Sequence, residues 1–163
     1  MKTKHPLVIS VLPGFSASTL LDVVRPLLRL NATGKIRFQT KLEQYTITRS
    51  LKKASLVIFC RNTEPKYQKS LDYLIDNKIP YIYDLDDNLF EIPLDTELGQ
   101  YHRAPERQLT LRKYISNAHL VRVYSKTLLD IVNQYTDRAV IVSAPLDWSL
   151  VRTPPRKDYK EKP

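Results

Sequence analysis

A chain of 163 residues with 42% hydrophobic side chains is long enough for one domain with a real core, and 26 Lys and Arg against 17 Asp and Glu give it a net charge of +9. No run of 18 apolar residues occurs, so no segment reads as a membrane-spanning helix. The single cysteine, Cys60, excludes an intrachain disulfide and the Cys/His spacings of zinc sites, which makes a reducing, cytoplasmic setting the default.

The first six residues carry Lys2, Lys4 and His5, and the apolar run over 7–12 is stopped by Pro13-Gly14. That is a poor signal peptide and a good first strand. A helix is expected over 18–30, capped by Ser18 or Thr19, with Leu20, Leu21, Val24, Leu27 and Leu28 as its apolar stripe. Pro26 is expected to kink it or break it near Val24. A strand over 36–40 and a weaker helix over 43–53 follow, then a strand over 56–60 ending at Arg61. The stretch 65–77 opens on a proline and has Leu71, Leu74 and Ile75 to bury, so it reads as a helix. Next come a strand over 81–85, a long polar helix over 96–117 divided by Pro105, a strand over 120–124, a Ser125-capped helix over 125–134, and a strand over 139–142. Most of the strand candidates are rich in Val, Ile and Tyr without clean alternation, a sign of burial on both faces. Strands alternating with helices predict an α/β domain, a parallel sheet flanked by helices, whose ligands bind at the carboxyl ends of the strands. From Arg152 the chain carries five basic residues, two acids and three prolines, and reads as a linker over 151–163 toward a further domain.

Charge is uneven along the chain. Residues 1–63 hold eleven Lys and Arg and only two acids, Asp22 and Glu43. Such a face suits polyanions: phosphates, nucleic acid or an anionic membrane surface. Six acids then crowd between Asp84 and Glu97 with no Lys or Arg among them. Acids gathered at a strand end are candidates for acid/base work, metal binding or hydroxyl recognition. Asp84 and Asp95 are equally suited to capping the next turn. Arg61, at the end of its own strand, faces the same rim and can pair with Asp86 or Asp87. After the first strand, Gly14 lets backbone approach a ligand, and the helix that follows offers free amides to an anion. One glycine makes neither a dinucleotide fingerprint nor a phosphate-binding Gly-Lys-Ser/Thr loop.

Asp84-Leu85-Asp86 also has the form of a metal-binding Asp-x-Asp and of the nucleophile motif of haloacid-dehalogenase-like phosphatases. The motif closes the fourth strand rather than the first, and no later Gly-Asp supplies a metal, which argues against a phosphatase. A basic α/β module binding nucleic acid is a further alternative, but no ribonucleoprotein signature or Gly-x-x-Gly clamp is present.

The order of pieces carries more than any one of them. Arg25-Pro26-Leu27 stands in the first helix, Leu56-Val57-Ile58-Phe59-Cys60-Arg61 in the third strand, and Pro80-Tyr81-Ile82-Tyr83-Asp84-Leu85-Asp86-Asp87-Asn88-Leu89-Phe90-Glu91-Ile92-Pro93 around the fourth. Asn117-Ala118-His119-Leu120-Val121-Arg122-Val123-Tyr124-Ser125 and Ala139-Val140-Ile141-Val142-Ser143-Ala144-Pro145-Leu146-Asp147 complete the series. This resembles the N-terminal, acceptor-side domain of GT4-like retaining glycosyltransferases, one Rossmann-like half of the two-domain GT-B fold. His119 and Ala144-Pro145-Leu146-Asp147 are looser matches to that pattern. The resemblance implies a Rossmann-like domain over 1–150, followed by a donor-binding domain that this sequence does not contain. It implies transfer of a sugar from a nucleotide-sugar, as co-substrate, to a glycan or lipid-linked acceptor in cell-surface polysaccharide assembly, without metal or other cofactor. Asp86, with Asp87 beside it, is the implied residue nearest the reaction. Gly14, Phe15, Ser16 and Arg61 are implied substrate contacts, with Gly14 letting the loop approach the donor phosphates. The isolated domain is then expected to be inactive or very weak. Relatives that act at the cytoplasmic membrane face suggest that Arg25, Arg29, Lys35 and Arg37 touch anionic lipid.

Overall fold

In the computed structural model, which describes residues 5–144, the apolar runs become six strands: β1 (Leu7–Leu12), β2 (Arg37–Leu42), β3 (Leu56–Cys60), β4 (Tyr81–Leu85), β5 (Leu120–Val123) and β6 (Ala139–Ile141). They form one wholly parallel sheet in the order β2-β1-β3-β4-β5-β6. Among the described residues the α-helices are α1 (Arg25–Ala32), α2 (Lys69–Asp76), α3 (Glu97–His102), α4 (Pro105–Asn117) and α5 (Lys126–Val132). The chain is an α/β domain of the expected class. From β1 it steps outward to β2, then back past β1 to β3, so the winding reverses between β1 and β3. Loops leaving those two strands diverge there and open a crevice at the carboxyl edge.

Burial on both faces holds for β1, β3 and β4, while β2, β5 and β6 are partly open. One face carries the main core. Leu71 and Leu74 of α2, Leu111, Tyr114 and Ile115 of α4, and Leu128 and Val132 of α5 pack there on the strands. Phe59 meets Tyr81 and Tyr114 edge-on with ring centres 5.6 and 4.9 Å apart, and Tyr83 stacks on Tyr114 at 5.2 Å. Burying tyrosines requires hydroxyl partners. Tyr81 donates to the Tyr114 carbonyl at 2.7 Å and Tyr83 to the Asn62 carbonyl at 3.0 Å. The other face is thinner. Val8, Leu12, Ile58 and Cys60 are covered by Val23, Val24 and Leu27, and a hollow of about 230 Å³ remains between α1 and the strand residues Ile58, Ile82 and Leu120.

Several elements depart from expectation. The regular α-helix is interrupted near Val24, where Pro26 is expected to break it, and the interruption is a change of winding. The preceding turn widens into a π-helical segment, Thr19–Val24, in which the Arg25 amide donates to the Leu20 carbonyl, five residues back. A wider turn relieves the clash that a proline ring makes with the carbonyl four residues earlier. That carbonyl, of Asp22, accepts instead from Arg122 Nη2 at 2.9 Å. Ser16, not Ser18, caps the segment: its Oγ accepts from the Thr19 amide at 3.2 Å. The weak helix over 43–53 is two 3₁₀ turns, Glu43–Tyr45 and Thr48–Leu51. The helix expected over 65–77 begins as a 3₁₀ turn, Pro65–Tyr67. Pro105 divides α3 from α4 as expected, and Ser125 caps α5 by accepting from the Leu128 amide. The expected linker over 151–163 and most of Ala144-Pro145-Leu146-Asp147 lie outside the described residues.

Gly99 fixes the long turn before α3. A Cβ at this position would stand 1.8 Å from the Pro93 carbonyl oxygen, backbone that has no room to yield. Gly99→Ala should therefore destabilise the protein by about 1–3 kcal/mol, an overpacking cost larger than the gain in helix propensity. Urea unfolding measures this; a midpoint at or above wild type would show that the 93–99 turn shifts freely.

Candidate functional site

The loops leaving β1 and β3 bound a pocket of about 320 Å³ at the winding reversal. From the first loop come Gly14, Phe15 and Ser16, and from the second Arg61, Thr63 and Glu64. Glu43, just past β2, and Tyr101 and His102, at the end of α3, complete the wall. Four residues expected from sequence, Gly14, Phe15, Ser16 and Arg61, are thus brought together. Gly14 has neither a left-handed backbone nor any atom within 4 Å of where a Cβ would stand, so the space beside it is open. The amides of Ser16 and Thr19 are committed to the Thr19 and Ser16 hydroxyls, which removes two of the donors expected for an anion.

Arg61 holds the left-handed conformation, φ 60°, one of two non-glycine residues with positive φ among those described. Such a conformation costs about 1–3 kcal/mol and persists where surrounding contacts enforce it. The contacts are visible. The Arg61 amide donates to the Asp84 carbonyl at 3.1 Å, and the next side chain, Asn62, accepts from the Cys60 amide at 2.9 Å. The turn sends the guanidinium to both candidate acids: Nη2 lies 2.9 Å from Asp87 Oδ2, and Nε and Nη1 each lie 3.4 Å from an Asp86 oxygen. Asp86 and Asp87 therefore stand behind Arg61 and do not themselves line the pocket wall.

The remaining acids of the run separate. Asp84 caps nothing. Its carboxylate is 2% exposed and is gripped at both oxygens by Arg122, with the Tyr124 hydroxyl 3.4 Å away. Burial pushes its pKa up and Arg122 draws it back. Asp84 and Asp86 thus face different arginines rather than one ligand, unlike paired metal or phosphatase carboxylates. Glu91 accepts from Asn88, and Thr96 rather than Asp95 caps α3. Among the described residues no three His, Cys, Asp or Glu converge as metal ligands. Cys60 is buried, and burial with Asp84 and Asp86 nearby raises its thiol pKa, which leaves it inert.

Two wall residues are not among the site candidates read from the sequence. Glu43 is 8% exposed, held by Asn62 Nδ2 at 2.6 Å, and burial raises its pKa. His102 is kept neutral: burial, then Arg61 and Arg107, lower its pKa. Beside it Arg107 lies over the Tyr101 ring at 3.5 Å and pairs with Glu64 at 2.5 Å. Burial alone would raise the Glu64 pKa, but Arg107 and Lys66 bring it below the usual value. Asp86 Oδ1, His102 Nδ1 and Arg107 Nη1 are shielded from solvent and make no hydrogen bond, although Arg61 Nε lies 3.4 Å from Asp86 Oδ1. In native proteins such atoms are few and each calls for an explanation; here all three belong to this one cluster.

No family model and no curated protein matches the sequence. Among solved structures, a short-chain flavodoxin associated with a bacterial microcompartment is similar at 11% identity and a TM-score of 0.37, over 82% of this chain and 94% of that chain. A likeness that weak carries no argument about ligand, and the α/β class rests on the sheet itself.

Proposed function

We propose that this domain is the acceptor-side half of a retaining, metal-independent glycosyltransferase of the GT-B type. It moves a sugar from a nucleotide-sugar to a glycan or lipid-linked acceptor in cell-surface polysaccharide assembly. The observation that supports this reading is the pocket at the reversal between β1 and β3, walled by hydroxyl, carboxyl, imidazole and aromatic groups, with an unmet polar cluster behind it. In this reading Phe15 and Ser16 contact the acceptor and Gly14 leaves room for the donor. Arg61, held in place by Asp86 and Asp87, positions the sugar at the reacting end of the pocket. A second domain supplies the cations for the diphosphate. The test is incorporation of labelled sugar from a panel of nucleotide-sugars into membrane glycolipid by the full-length protein. Absence of transfer with every donor, together with retention of random oligonucleotides in gel shifts at physiological salt, would overturn it.

No helix among the described residues is long and apolar enough to cross a membrane. The proposed setting is the cytoplasmic membrane face. Leu28, 51% exposed, and Leu20 and Leu21, each 39% exposed, share the first helical stretch with Arg25 and Arg29, and Lys35 and Arg37 follow it. Sedimentation with vesicles should show binding to anionic lipid that weakens as salt rises. Equal binding to anionic and neutral vesicles would remove anionic lipid from the proposal, and binding to neither would remove the membrane.

A further inference from the structure

We infer that the pocket between the β1 and β3 loops takes an uncharged, hydroxyl-bearing ring, a neutral sugar rather than a phosphate or sugar acid, and that Glu43 and His102 read its hydroxyls. This rests on the glycosyltransferase reading and narrows its acceptor.

Charge bookkeeping around the wall is the first argument. Arg61 is matched by two carboxylates, Asp86 and Asp87, and Arg107 by Glu64. Neither guanidinium is left to neutralise an anion. His102 is neutral, and the other ionisable groups on the wall, Glu43 and Glu64, are acids. A phosphate or uronate entering here would meet carboxyl groups and already-paired cations, with a desolvation penalty on both sides.

The second argument is the kind of partner that is missing. Of the solvent-shielded polar atoms without a hydrogen-bond partner, His102 Nδ1 belongs to a residue of the pocket wall, and it is unmatched in either tautomer. A sugar hydroxyl both donates and accepts, so it can complete His102 Nδ1 in whichever tautomer is present; a sugar acid carries the same hydroxyls and is disfavoured by the charge of the wall. Shape agrees. Phe15, 61% exposed, and Tyr101, 48% exposed, are the aromatic members of the wall, large rigid apolar surfaces suited to the C–H face of a pyranose. Glu43 is fixed by Asn62, whose own carbonyl is held by Tyr83 in the core, so the acid is pre-positioned by the fold.

Saturation-transfer NMR on the 163-residue chain decides the matter. The probes are methyl glucoside, galactoside and mannoside against glucuronate and inorganic phosphate, each at concentrations of order 10 mM, above a Kd of order 1 mM. At least one neutral glycoside should bind, and glucuronate and phosphate should not. E43Q and H102A should each weaken that binding about tenfold while the urea midpoint of E43Q stays at the wild-type value. Stronger binding of glucuronate or phosphate, no binding of any neutral glycoside, or wild-type affinity in both folded variants would overturn the inference. Anion binding with sugar transfer intact would fail this inference alone. Neutral-glycoside binding without transfer from any nucleotide-sugar would fail the glycosyltransferase reading alone.

Discussion

Replacing Arg122 by methionine should cost about 3–5 kcal/mol of stability, the usual result of stranding one member of a buried ion pair. The Asp84 carboxylate is almost wholly buried, and Arg122 supplies the contacts to both of its oxygens. The same guanidinium satisfies the Asp22 carbonyl, so the variant also orphans a backbone acceptor. The loss should depend on pH with a definite sign. Burial already places the Asp84 pKa above its ordinary value in the folded protein. An acid whose folded pKa is raised binds more protons folded than unfolded, so its effect on stability worsens as pH rises through the folded value. Removing Arg122 takes away the main influence that opposes burial and raises that pKa further. The variant's deficit should therefore be full near pH 7 and smaller near pH 4, where Asp84 takes up a proton. Denaturant unfolding at the two pH values measures this. Adding Asp84→Asn should restore most of the loss, because no charge is then left buried. A deficit that is the same at both pH values, and is not repaired by the second change, would show that Arg122 acts through packing alone.

On the proposed glycosyltransferase reading, Asp86→Ala should lower sugar transfer by about 100-fold, while Asp95→Ala leaves it within about twofold. The two carboxylates lie in the same acidic run but in different situations. Asp86 holds Arg61, whose left-handed backbone already commits the side chain to one direction. Asp95 is exposed in the turn before α3. Without Asp86, Arg61 keeps only Asp87, whose side chain is 59% exposed and screened by water. The guanidinium then swings, and misplacement by about 1 Å is enough for a loss of this size. Because Asp86 acts through Arg61, the loss should fall mainly on kcat rather than KM. Equal activities of the two variants would move the reaction away from this rim.

The strand ends were readable because short apolar runs rich in Val, Ile and Tyr, set off by polar residues or proline, can do little else in a chain of this size. All six strands fall within two residues of the runs that announce them. Connections were harder. Over 43–53, Thr46, Ile47 and Thr48 oppose a continuous helix, and two 3₁₀ turns result. At Pro26 the expected break takes the form of a widened turn, with a distant arginine meeting the freed carbonyl, and nothing within the helix signals Arg122. The same separation hid the role of Asp84, since an acid 38 residues from its partner cannot be told by sequence from one that caps a turn. Arg61 with Asp86 and Asp87 was legible because all three sit at the ends of adjacent strands. Glu43 and His102 were not, although Glu43 had one available sign: it is one of two acids in the first 63 residues and follows directly on a strand's carboxyl end. His102 stands at the end of α3, which packs against Pro93 at Gly99, and no local pattern in the sequence marks that contact.

The wide turn at Thr19–Val24 bears on which changes in length the gene can accept. Each residue of an α-helix turns the chain by about 100°. Deleting one residue between Thr19 and Val24 would close the wide turn and rotate the start of the helix relative to α1, carrying either the Ser16–Thr19 loop or Leu27 off its seat. It would also drive the Pro26 ring into the carbonyl behind it. A scan of single-residue deletions should therefore find this stretch intolerant, and the solvent-facing turn at 33–35 permissive, even though neither is rich in residues that substitution would flag.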